Sequence, residues 1–99
     1  MAAKVLFSPR AEADLESIGD FIALDDRPTA VRFVRTFRER SLSLEELPER
    51  GVPFGKGTRA LVVGSYLILY QVRQDEAQQL VVIAAVVHAS RVRKRPSPA

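Results

Sequence analysis

The single histidine of the chain, His88, closes an apolar run and is followed at two and three positions by Ser90 and Arg91. An imidazole and a guanidinium leaving the end of one strand can move a proton and stabilise developing negative charge. Metal-free cleavage of RNA would need a base for the ribose 2′-hydroxyl, cations for the pentavalent phosphate and an acid for the leaving oxygen. Arg59, Arg73, His88 and Arg91 are the cations associated with sheet-like segments, and Lys56 adds charge from a loop. No residue among them is placed as both proton donor and acceptor. A histidine at a strand end is also a common structural hydrogen-bonding residue. Tyr66 and Tyr70 alternate onto one strand face, where a packed ring with its hydroxyl at the rim is the ordinary role. These residues leave a binding module, a small nuclease and an interaction protein all open.

Other chemistries are harder to support. The absence of cysteine removes disulfides, thiol catalysis and the usual zinc clusters, and one histidine removes a multi-histidine metal site, so no metal or cofactor is expected. Gly51-Val52-Pro53-Phe54-Gly55-Lys56-Gly57 lacks the GK[ST] ending of a phosphate loop and follows a helical pattern instead of a strand. Glu12, Glu16 and Asp20 have the four-residue spacing of a solvated helix face. The longest apolar stretch, Leu80–Val87, is far short of the roughly 20 residues of a membrane-spanning helix, and nothing at the start reads as a signal peptide. The expectation is a soluble cytoplasmic protein with no membrane partner.

Charge is segregated. Residues 1–50 hold eight Lys/Arg against ten Asp/Glu, and residues 51–99 hold seven against two. Arg91, Arg93, Lys94 and Arg95 crowd five positions before the final Pro96-Ser97-Pro98-Ala99. Such an end attracts acidic partners, whether nucleic acid or protein, and also serves as a solubilising tail.

The elements that must position these groups follow from periodicity. At 99 residues, 46% of them hydrophobic, the chain suits one domain over residues 1–95, with residues 96–99 expected to be a disordered tail. Lys4–Phe7 reads as a strand; Ser8-Pro9 is an N-cap followed by a first-turn proline. Leu15, Ile18 and Ile22 form one helical stripe, interrupted by Gly19 at a cost of about 1 kcal/mol that is tolerable where another helix approaches closely. Asp25-Asp26-Arg27-Pro28 restarts the pattern, and Ala30, Phe33, Val34, Phe37 and Leu44 carry a second helix to about Leu47. Residues 51–57 read as a loop. Arg59–Val63 and Tyr66–Arg73 are strands joined by Gly64-Ser65, and Leu80–His88 is a central strand. The predicted class is α+β, in the order β-α-α-β-β-β, with a helical hairpin on a small, mostly antiparallel sheet. Leu42, Leu44 and Leu47 crowd the end of the second helix, where a partner's amphipathic segment could dock or core packing could claim them.

Four phrases occur in register along residues 4–91: Ser8-Pro9-Arg10-Ala11-Glu12-Ala13-Asp14-Leu15-Glu16-Ser17-Ile18, Gly57-Thr58-Arg59-Ala60-Leu61-Val62-Val63, Tyr66-Leu67-Ile68-Leu69-Tyr70-Gln71-Val72 and Val86-Val87-His88-Ala89-Ser90-Arg91. Together they resemble the RelE/ParE superfamily of toxins from type II toxin–antitoxin systems, and the ParE branch most. The resemblance implies a cytoplasmic toxin in a hetero-oligomer with a ParD-like antitoxin, acting on DNA gyrase to block replication and growth, and used in plasmid stabilisation. Its candidate target contacts are Arg59, His88, Arg91, Arg93, Lys94 and Arg95, and its candidate antitoxin contacts Leu42, Leu44 and Leu47. The RelE branch implies instead a ribosome-dependent messenger RNA endoribonuclease using Arg59, His88 and Arg91. The chain departs from that branch in having no tyrosine after Tyr70 and no lysine on its strands beyond Lys4. That leaves the nuclease scheme without an obvious acid.

Overall fold

The computed structural model describes residues 3–93, the side chains of Val92 and Arg93 excepted; the basic residues Lys94 and Arg95 and the expected tail 96–99 lie outside the described residues. The elements are β1 (Lys4–Phe7), α1 (Pro9–Ala23), α2 (Arg27–Leu42), a 3-10 turn (Ser43–Glu45), β2 (Val52–Gly55), β3 (Thr58–Val63), β4 (Tyr66–Gln74), β5 (Gln79–His88) and a short α3 (Ala89–Arg93). The five strands lie in the order β1-β5-β4-β3-β2, antiparallel except for the parallel β1–β5 pair. The α+β class and the helical hairpin are as the periodicity predicts.

Both helices begin where their capping residues stand. The Ser8 hydroxyl accepts from the Ala11 amide, and the Asp26 carboxylate accepts from the Thr29 amide, each ahead of a first-turn proline. The hairpin closes tightly at Gly19, where an added Cβ would stand 3.2 Å from Val34 Cγ2. The hairpin lies on the sheet, with α1 against β5, and the core between them holds Leu15, Phe37, Leu44, Leu61, Ile68, Tyr70, Val81 and Ile83.

Three boundaries differ from expectation. The second helix stops at Leu42, and the chain tightens into the 3-10 turn, which carries Leu44 into the core and lets the Ala3 amide donate to the Glu45 carbonyl. Residues 52–55, expected as loop, form β2, an edge strand that tolerates Pro53 because one side of an edge needs no amide donor. A short helix follows His88 directly. Between β3 and β4 the two-residue turn has a positive φ at Gly64 alone, the φ pattern of a type II′ hairpin turn.

A bulge in β5 sets which residues face the helices. Leu69 pairs with Ala85 and Tyr70 with Ile83, leaving Ala84 as an extra residue. Val81 and Ile83 face the core; the bulge then brings Val86 into the core and places His88 opposite Tyr66 on the helix side. β1 ends opposite Ile83, so beyond it the β5 edge has no strand partner there. Side chains of the first turns of α1 take over: the Ser8 hydroxyl donates to the Ala84 carbonyl at 3.0 Å, and Asp14 Oδ2 accepts from the Val86 amide at 2.9 Å.

Candidate functional site

The sequence-derived site residues separate into two ends of the sheet. His88 and Arg91 stand at the end formed by the β3–β4 turn and the start of α3. The His88 Nδ1 accepts from the Ser90 amide at 3.0 Å and lies 2.8 Å from the Ser90 hydroxyl, which leaves Nε2 as the donor nitrogen of the neutral ring. The Ala89 amide donates to the Ser65 carbonyl, tying α3 to the hairpin turn. Arg91 is exposed and makes no ion pair among the described residues. Arg93 follows on α3, with its side chain outside the described residues.

Arg59 is elsewhere. It sits on β3 opposite Tyr70, four residues from Val63 and so about 13 Å along the strand from the His88 end. Its Nη1 donates to the Gly51 carbonyl at 2.7 Å and the Glu49 carbonyl at 3.2 Å. The Tyr70 hydroxyl completes the clamp, accepting from the Gly51 amide and donating to the Pro48 carbonyl, both at 2.8 Å. Gly51 is required there, since an added Cβ would meet the Ala60 carbonyl and the Tyr70 hydroxyl at 2.7 Å. Arg59 thus holds the α2–β2 connection. It shares a polar groove of about 430 Å3 with Arg73, whose guanidinium is engaged by Gln71 Oε1. Arg59 and Arg73 share one groove, while His88 stands at the end of β5 and Arg91 on α3, and the structure does not bring the two pairs together.

The three leucines also part. Leu44 is fully buried, which corrects its expected place on a docking surface: its side chain serves the core. Leu42 is 47% exposed and lines a groove of about 760 Å3 along the outer face of the hairpin, whereas Leu47, 62% exposed, lies beyond the 3-10 turn in a separate groove with Pro48 and Arg50. The hairpin groove has an apolar floor of Leu15, Ala23, Val31, Val34 and Leu42. Its α1 rim is acidic, with Glu16 and Asp20, and its α2 rim is mainly basic, with Arg27, Arg35 and Arg38 beside Glu39. Val31 and Leu42 lie on α2 outside the stripe of Ala30, Phe33 and Phe37, with Val34 between the two faces, and that widened apolar pattern is the signal from which this face could have been read. A bidentate pair closes one end of the hairpin: Arg38 Nη2 and Nη1 donate to Glu12 at 2.7 and 3.3 Å, with the guanidinium 5.2 Å from the Phe7 ring centre. The Arg38 hydrogen bonds hold the Glu12 carboxyl below the usual glutamate range and raise Arg38 in turn.

Among solved structures the chain is similar to one from the chromosomal ParDE toxin–antitoxin system of P. aeruginosa, at a TM-score of 0.73 and 18% identity over 88% of this chain and 96% of that one. It is also similar to a chain of the toxin–antitoxin complex RelBE2 from Mycobacterium tuberculosis, at a TM-score of 0.65 and 27% identity over 89% and 99% respectively. No curated protein sequence matches significantly. The family model for the ParE toxin of the type II toxin–antitoxin system parDE matches residues 5–93, nearly all of the described chain. With the hairpin-on-sheet fold and that match agreeing from β1 to α3, the chain belongs to the ParE toxins of type II toxin–antitoxin systems.

Proposed function

We propose that this toxin arrests growth by binding DNA gyrase, obstructing the enzyme without itself making or breaking bonds in a substrate, and that a ParD-like antitoxin silences it. The observation that carries this reading over messenger RNA cleavage is the engagement of Arg59 by the Glu49 and Gly51 carbonyls, at the opposite end of the sheet from His88 and Arg91. A nuclease trio of Arg59, His88 and Arg91 would have to converge on one phosphate, and these residues do not. The target contacts then fall to the cationic end: His88 and Arg91, continued by Arg93, Lys94 and Arg95.

The antitoxin reading is supported by the hairpin groove and by two relatives that are parts of toxin–antitoxin systems. An amphipathic helix with its apolar seam on Val31, Val34 and Leu42 would find oppositely charged rims that set its orientation.

Purified protein assayed for inhibition of gyrase supercoiling, beside cleavage of translated messenger RNA, tests the target. Inhibition without cleavage is expected, and cleavage without inhibition overturns the proposal. Reversal of Arg93, Lys94 and Arg95 to glutamate is expected to relieve growth arrest in a protein that still folds; unchanged toxicity removes the cationic end from the interface.

A further inference from the structure

A further groove, of about 710 Å3, opens where α2 meets the β3–β4 turn and the end of β5. Its floor is aromatic. The Phe33 and Tyr66 rings meet edge to face at 5.0 Å, and Tyr66 meets His88 in the same way at 5.0 Å. The charged side chains that line it are Arg32 and Arg40, with no carboxylate among the lining residues, and Thr29, Thr36 and Ser65 add hydroxyls. Arg40 makes no side-chain hydrogen bond or ion pair among the described residues. Arg32 gives one N–H to Thr29 Oγ1, which itself donates to Asp26, so most of the guanidinium donors remain free.

We propose that this groove binds single-stranded nucleic acid. Cations at the walls and rings on the floor are the two parts such a site requires, one for the phosphates and one for the base faces. Arg32 and Arg40 are eight residues apart on one helix, about 12 Å by helical rise, a separation that suits two non-adjacent phosphates of one strand with the intervening nucleotides over the rings. An acidic peptide would use the same cations and leave the ring platform idle. The groove shares only His88 with the proposed gyrase contacts and lies apart from the hairpin groove. The proposal goes beyond the gyrase reading and does not rest on it, because its test contains no gyrase.

Fluorescence anisotropy of the full chain against a labelled single-stranded oligonucleotide of roughly ten residues, at about 50 and about 200 mM salt, reads the binding directly. Expected are binding that weakens with salt, and a loss of at least about tenfold in the Arg32→Glu/Arg40→Glu variant, with the circular dichroism of the parent. Should that variant misfold, Arg40→Gln alone is expected to cost several-fold. Four results overturn the proposal: no binding at low salt; full binding by both arginine variants; an abasic strand binding as tightly as the oligonucleotide; or polyglutamate competing as well as the oligonucleotide, which would mark the groove as a peptide site.

Discussion

Two side chains anchor backbone remote from them in the chain, Asp14 beside the cationic end and Tyr70 at the clamp end. Asp14 accepts the Val86 amide just past the β5 bulge, where a sheet partner is missing. Asp14→Ala should leave that amide without its acceptor and destabilise the protein by about 1–3 kcal/mol in denaturant titrations, whereas Asp14→Asn, which keeps a carbonyl oxygen, should lose less. Equal losses would show that charge, as in the ion pair with Arg10, and not acceptance is what Asp14 supplies. Tyr70 is fully buried and its hydroxyl serves both Gly51 and Pro48. Tyr70→Phe removes both bonds and strands the Gly51 amide, at a similar expected cost of about 1–3 kcal/mol. Arg59, which bonds the same connection, should show its substitution first as lowered stability, read by thermal melting.

At the scale of elements, the hairpin is held by close approach at Gly19 and by the Glu12–Arg38 pair across its two helices. The folded carboxyl titrates below the ordinary value of 4.5, so the pair contributes fully above that value and its contribution is lost as pH falls through the lowered one. Both side chains are over two-fifths exposed, which limits the gain to about 1 kcal/mol or less and makes it sensitive to salt. Glu12→Gln should therefore flatten a small part of the acid limb of stability against pH. A variant with an unchanged acid limb at low salt would show that the pair contributes nothing measurable.

For the whole molecule, the consequence is a division of surfaces. The outer face of the hairpin, the clamp end at Arg59 and the cationic end at His88 and Arg91 lie on different parts of the fold. Val31, 56% exposed, can be altered without entering the core. Val31→Glu is expected to weaken neutralisation by co-expressed antitoxin while leaving growth arrest in its absence intact, read by colony counts under both conditions. Full neutralisation of that variant would place the antitoxin elsewhere. The order and type of the main elements were legible in the sequence, because capping residues, period-3.6 stripes and a valine-rich run are local signals that the chain states wherever it folds. So was the place of His88 at the end of the last strand, whereas Arg91, three residues on, lies on α3. What only the tertiary structure decided was the rest: β2, which has no alternation to announce it; the burial of Leu44 beside the exposure of Leu42; and the distance of Arg59 from His88. The bulge at Ala84 belongs with these, since one extra residue reverses the face of everything after it and is specified by Ser8 and Asp14 reaching from a helix more than seventy residues away in the chain.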